Sequence, residues 1–109
     1  MNEAIEILIY EDASGKSPYK SWFNKLDTTT QLIIDNRLSR VRLGNFGDCE
    51  PVKEGVFELK FKYGPGYRIY FGKINNTIIL LINGGNKGNQ SRDIEKAKQY
   101  WIQYKEKII

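Results

Sequence analysis

Between positions 56 and 83 the chain carries three strand-like runs, 56–63, 67–73 and 77–83, joined only by "GPG" and "INN". Parallel neighbours need a crossover of about a dozen residues or more. Connections this short therefore impose an antiparallel meander, and everything else must pack on it. The third run, Thr77-Ile78-Ile79-Leu80-Leu81-Ile82, does not alternate in polarity, which predicts a central strand covered on both faces, ended by Gly84-Gly85.

Ahead of the meander, residues 5–10 read as a β-branched strand and Ser17-Pro18 as a helix start, with Ser17 as N-cap and Pro18 at the first helical position. That helix is predicted to reach about Leu26 and to bury Trp22, Phe23 and Leu26. A second helix follows from Thr28, with Asp27 as N-cap, Ile34, Leu38 and Val41 on one face, and Gly44 as its stop. Residues 44–55, "GNFGDCEPVKEG", read as a loop. After the polar "NKGNQ", Ser91 is the predicted cap of a last helix whose Ile94, Ala97, Trp101 and Tyr104 form one stripe. The order is β-α-α-β-β-β-α, an α+β fold in which an antiparallel meander sheet packs with helices, and 109 residues supply one domain, 1–109.

Charge is distributed unevenly. Residues 1–52 hold six Lys/Arg against eight Asp/Glu, whereas residues 53–109 hold eleven against five, so the basic excess lies in the half that carries the meander. That asymmetry points to an anionic partner such as nucleic acid. The chain has no histidine, which excludes Ser-His-Asp and Cys-His nucleophilic systems and leaves Lys, Arg, Tyr and carboxylates as the available chemistry. Its one cysteine, Cys49, has no partner for an internal disulfide, and without histidine it makes no ordinary zinc site. Glu11-Asp12 and Asp48-x-Glu50 lack a third organised acid, so neither a metal nor a cofactor is expected. No basic, cleavable leader and no apolar run near the eighteen or so residues of a membrane span is present, so a cytoplasmic protein without membrane contact is expected.

Strand side chains alternate between faces. Phe57, Leu59 and Phe61 should point one way with Ile69 and Phe71, and Glu58, Lys60 and Lys62 the other way with Arg68 and Tyr70. The expectation is an open face bearing Lys60, Lys62, Arg68 and Tyr70, to which the strand end at Gly84-Gly85 delivers Lys87, with Arg92 nearby. Two glycines there would let backbone approach a ligand closely. Cations beside tyrosines suit single-stranded RNA, through phosphate pairing and base stacking. The competing reading is plainer: alternating lysines on a half-exposed strand also serve as a solvated face, and Arg68 has Glu58 and Tyr70 to pair with or stack on.

The segment "GVFELKFKYGPGYRIYFGK", followed by "TIILLINGGNKGNQSRDIEKAKQYW", resembles the RelE/ParE superfamily of toxin–antitoxin toxins. Within it the segment is most similar to the HigB-like addiction module killer proteins, which share G-x-x-E-L-[RK], GPGYR-[IV]-YF and GG-[DN]-K…Q…DI-x-x-A. The resemblance spans residues 55–101 and agrees in element order over nearly the whole chain. It implies a metal-independent, ribosome-dependent mRNA endoribonuclease held inactive by a cognate antitoxin, a helix-turn-helix protein encoded by the adjacent gene. In the implied chemistry a ribose 2′-OH attacks the adjacent phosphate.

Carried over by motif, Arg68 in "GYRIYF" corresponds to the arginine that stabilises the phosphate, and Lys60 in "ELKF" to a lysine acting as base or electrostatic stabiliser. Lys87 in "GGNK" falls where a second cation or acid is placed. Lys62, Tyr70 and Arg92 are the expected RNA-binding residues. The sequence departs from the pattern at Glu58, where RelE has another lysine, and in lacking the histidines of many HigB proteins. A catalytic tyrosine on the last helix would be Tyr100 or Tyr104. ParE-type relatives share the fold and inhibit DNA gyrase without cutting RNA. A non-catalytic toxin of that type, or an inactive module that only binds antitoxin, therefore stays open.

Overall fold

The computed structural model describes residues 4–107. In chain order the elements are β1 (Glu6–Ile9), α1 (Pro18–Phe23), α2 (Thr28–Arg42), β2 (Cys49–Lys53), β3 (Val56–Lys60), β4 (Tyr67–Asn75), β5 (Ile78–Asn86), a 3₁₀ turn (Lys87–Asn89) and α3 (Gln90–Lys107). The result is a mixed α+β domain with one five-stranded sheet ordered β1-β5-β4-β3-β2. β2 to β5 form an antiparallel meander, and β1 returns to lie parallel to β5 along the edge.

The strand β2 corrects the reading of residues 44–55 as a loop. Its sequence, Cys-Glu-Pro-Val-Lys, shows no periodicity, yet it pairs with β3 from Cys49–Leu59 to Lys53–Val56. Pro51 is tolerated because β2 is an edge strand, where one side of the backbone needs no ladder partner.

The helices divide between the two sheet faces. Ser17 caps α1 by accepting from Lys20 N, with Pro18 at the first position as expected. α1 stops at Phe23, sooner than predicted, and its most buried side chain is Tyr19, while Trp22, Phe23 and Leu26 are only partly covered. Asp27 takes the N-cap position of α2 without a side-chain cap bond, and Ile34, Leu38 and Val41 form its buried face. These residues join Leu59, Phe61, Ile69, Phe71, Ile79 and Leu81 in one apolar core. On the other face α3 lays Ala97 and Trp101 onto Val56, Tyr70, Leu80 and Ile82. β5 is thus interior and buried on both faces, as its unbroken apolar run predicts.

Trp101 needs Gly72 beneath it, because a Cβ there would run into the indole ring. β5 extends through Gly84-Gly85 to Asn86, past the predicted stop. Its register against β4 slips by one residue between Tyr70 and Phe71. This bulge sends two consecutive residues, Ile82 and Asn83, toward α3. Ser91 lies inside α3 and caps nothing; Asn86 caps instead, accepting from Gly88 N to start the 3₁₀ turn. Among the described residues no helix is long and apolar enough to cross a membrane.

Candidate phosphate-binding site

At the end of the sheet where α3 begins, the antiparallel register brings three positions side by side: Lys60 opposite Arg68, and Arg68 opposite Gly85. Lateral neighbours in such a ladder sit about 5 Å apart, so Lys60 and Arg68 are adjacent cations on the face that α3 partly covers. Each is matched by a carboxylate. Lys60 Nζ pairs with Glu50 Oε1, contributed by β2, at 2.5 Å. Arg68 Nε lies 3.8 Å from Glu58 Oε2. These pairings offset the repulsion between like charges on neighbouring strands, and they make β2, which the sequence reading takes as loop, part of the site.

The pairing with Glu50 pushes the Lys60 ammonium above its ordinary pKa, first through the hydrogen bond and then through the negative charge. Lys60 is therefore protonated throughout the physiological range, a state that suits the electrostatic role expected for it rather than that of base.

Tyr70 and Glu58 correct the picture of an open face. Alternation assigns both to the side that bears Lys60 and Arg68, and both are wholly buried there, because α3 covers the sheet at that level. Tyr70 pairs with Glu58 on one side and Asn83 on the other. It cannot stack on a base while α3 stays docked. Burial, and then the Glu58 carboxylate, hold its phenol far above the ordinary tyrosine value. Glu58 Oε2 accepts from Gln90 Nε2 at 2.8 Å, tying the start of α3 to the sheet. Among the described residues, Glu58 Oε1, Arg68 Nε, Tyr70 Oη and Asn83 Oδ1 are buried with no hydrogen-bond partner. Protein interiors leave few such atoms, and a group of four marks a place shaped by more than packing.

The remaining expected residues form a rim. Lys87 and Arg92 are exposed and, with Gly88, Asn89, Gln90 and Ser91, line a depression of about 280 Å³ over the first turn of α3. The positive end of the helix dipole adds to these side chains in attracting an anion. Lys87 N donates to Gly66 O, which fastens this loop to the β3–β4 hairpin. Lys62 is exposed in that hairpin. Beside it Tyr63 and Tyr67 stack at 6.3 Å between centroids, and Tyr63 is 39% exposed. Sequence reasoning gave base stacking to Tyr70; the accessible aromatic surface belongs to Tyr63. The signal was available in the tight "YGPGY" turn, which exposes its flanks.

Gly84 and Gly85 do not clear room for a ligand. Gly84 accommodates the Trp22 ring, and Gly85 accommodates the Asp93 carboxylate. Tyr100 packs against Tyr10 and Tyr104 against Trp101. Tyr100 is ten residues into α3, about 15 Å along its axis, so neither tyrosine reaches the site.

No family model matches the chain. An uncharacterized protein of Haemophilus influenzae (strain ATCC 51907 / DSM 11121 / KW20 / Rd) is 40% identical over 81 residues, which is 73% of this chain and 82% of the relative. Identity and coverage at that level place the two in one family, and this protein belongs to the family of that H. influenzae chain.

Proposed function

We propose that the protein is a toxin of a type II toxin–antitoxin pair, an endoribonuclease of RelE-like fold that cuts mRNA on the ribosome without a metal or cofactor. The observation that carries this reading is the placement of Lys60 and Arg68 in register, beside an α3 N-terminus ringed by Lys87 and Arg92. Cleavage by 2′-OH attack concentrates negative charge on the phosphorane oxygens. Preorganised cations at that point are typically worth about a hundredfold or more in rate each.

Arg68 is suited to that task. Its Nε faces Glu58 and its side chain is 12% exposed, which leaves the terminal guanidinium nitrogens as the donors able to meet phosphate. Lys60, fixed as a cation by Glu50, supports the same charge. Lys87, Arg92 and Lys62 hold flanking phosphates, and Tyr63 offers a base a stacking surface. The antitoxin in this reading presents acidic residues to the rim, because covering unpaired cations without partners is costly. The element order, apart from the added β2, and the motif segment at 55–101 support the same assignment.

The test is induction of the wild-type, Arg68→Ala and Lys87→Ala proteins in growing cells, with mapping of RNA 5′-hydroxyl ends. Wild type should arrest growth and create new mRNA ends. Arg68→Ala should lose about a hundredfold or more in cleavage, and Lys87→Ala should weaken RNA binding while melting at the wild-type temperature. Growth arrest without new ends, together with supercoiling inhibition by the purified protein, would assign it to the gyrase-binding class instead.

A further inference from the structure

With Lys60 held as a cation, the proposed reaction still needs a group to take the ribose proton. Asp93, in the first turn of α3, is placed for it. Gly85 is the register partner of Arg68, and a Cβ on Gly85 would collide with Asp93 Oδ2. The carboxylate thus fills the slot that a side chain at 85 would occupy, lateral to the Arg68 side chain across one strand spacing of about 5 Å. Lys60, Arg68 and Asp93 follow one another in a row across β3, β4 and β5. Asp93 is half-buried, and among the described residues its carboxylate enters no ion pair or hydrogen bond; only its backbone C=O is engaged, accepting from Asn83 Nδ2.

We infer that Asp93 is the general base of the site, removing the 2′-OH proton of a ribose whose 3′-phosphate is held by Arg68. The inference rests on the nuclease reading above. Asp93 accepts the proton, the 2′-oxygen forms a bond to phosphorus, and the P–O5′ bond breaks with its electron pair leaving on O5′. That oxygen takes a proton from water, and Asp93 returns its own to solvent. The products are a 2′,3′-cyclic phosphate and a 5′-hydroxyl, with no change in oxidation state. Burial raises the Asp93 pKa above the ordinary carboxylate value, against the pull of Lys96 and Arg92 on its own helix, which makes the carboxylate a better proton acceptor. The groups facing it from the sheet are Arg68 and Tyr70 on β4 and, beyond Tyr70, Glu58 on β3.

A carboxylate in the first turn also favours the helix dipole, so the test separates a chemical role from a structural one. The experiment measures cleavage of ribosome-bound mRNA against pH by wild type, Asp93→Asn and Asp93→Glu, beside binding of an RNA with a 2′-deoxy residue at the cut site. Asp93→Asn should lower kcat by about a hundredfold with KM within about threefold, and should abolish the acid limb of the kcat profile. Asp93→Glu should regain part of kcat, and the uncleavable RNA should bind Asp93→Asn as tightly as wild type. If Asp93→Asn keeps its rate or its acid limb, or loses RNA binding and thermal stability together, Asp93 is not the base even though the protein is a nuclease. Wild type that cuts no RNA overturns both readings.

Discussion

Beneath α1 and α2 the sheet offers Leu59, Phe61, Ile69, Phe71, Ile79 and Leu81, all apolar, with the Arg37 guanidinium over the Phe61 ring. Beneath α3 the same strands offer Val56, Leu80 and Ile82, but also Glu58, Tyr70 and Asn83, with Arg68 at the margin. Both faces are closed to solvent at their centres. The first is filled with side chains that need only shape; the second holds a carboxylate with a cation beside it and polar atoms lacking partners. Burying ions in place of hydrocarbon seldom adds stability, so the polar content of the α3 face calls for another explanation. Its position at the foot of the proposed phosphate site supplies one.

The contrast is sharpest in what a second substitution repairs. Glu58→Ala should cost about 4 kcal/mol in urea unfolding, since it strands the Arg68 guanidinium and frees Gln90. Adding Arg68→Met should recover a large part of that loss, because the pair contributes little net stability against an apolar replacement. A double variant no more stable than Glu58→Ala would show that the two do not act as a pair. On the apolar face Leu59→Ala should cost about 3 kcal/mol by leaving a cavity that no change of a charged residue restores. Gly72→Ala should follow at about 2 kcal/mol, from the clash with Trp101, and be read as a lowered denaturation midpoint with an unchanged m-value.

The smallest expected effect concerns pH. The folded-state pKa of Asp93 is raised, so between the ordinary aspartate value of about 4 and the raised one the folded protein holds a proton that the unfolded chain releases. Stability therefore falls as pH rises through that interval, and Asp93→Asn removes the fall. Relative to the variant, wild type should be weaker at pH 7 than at pH 3.5 in matched urea titrations. A constant difference between the two would mean that Asp93 is not desolvated.

Much of the fold was legible because local signals were strong. Ser17-Pro18 announced α1, the 34/38/41 spacing announced α2, and two short connections left the meander no other arrangement, although β3 ends at Lys60 and β4 runs on to Asn75. β2 was not legible, because Cys49–Lys53 forms a strand through the ladder that β3 offers it. Of the site, Lys60 and Arg68 were correctly placed beside each other by alternation and turn length. Tyr70 was misread as exposed, since period-two patterning names a side of the sheet without saying what covers it. Gln90 and Asp93 were not singled out, and Glu50 was weighed only against a metal site, because the significance of such residues lies in contacts across 10 to 32 residues of chain.

The sequence by itself determined the antiparallel meander, both ends of the helical hairpin, the apolar stripe of α3 and the basic bias of the second half, all of which follow from neighbours within a few turns or strand steps. Only the tertiary structure decided that α3 closes over Glu58 and Tyr70, that Glu50 keeps Lys60 charged, and that the Asp93 carboxylate rests on Gly85 beside Arg68. Those outcomes depend on which distant side chains share a small volume, where burial and charge act over a few ångströms irrespective of separation along the chain.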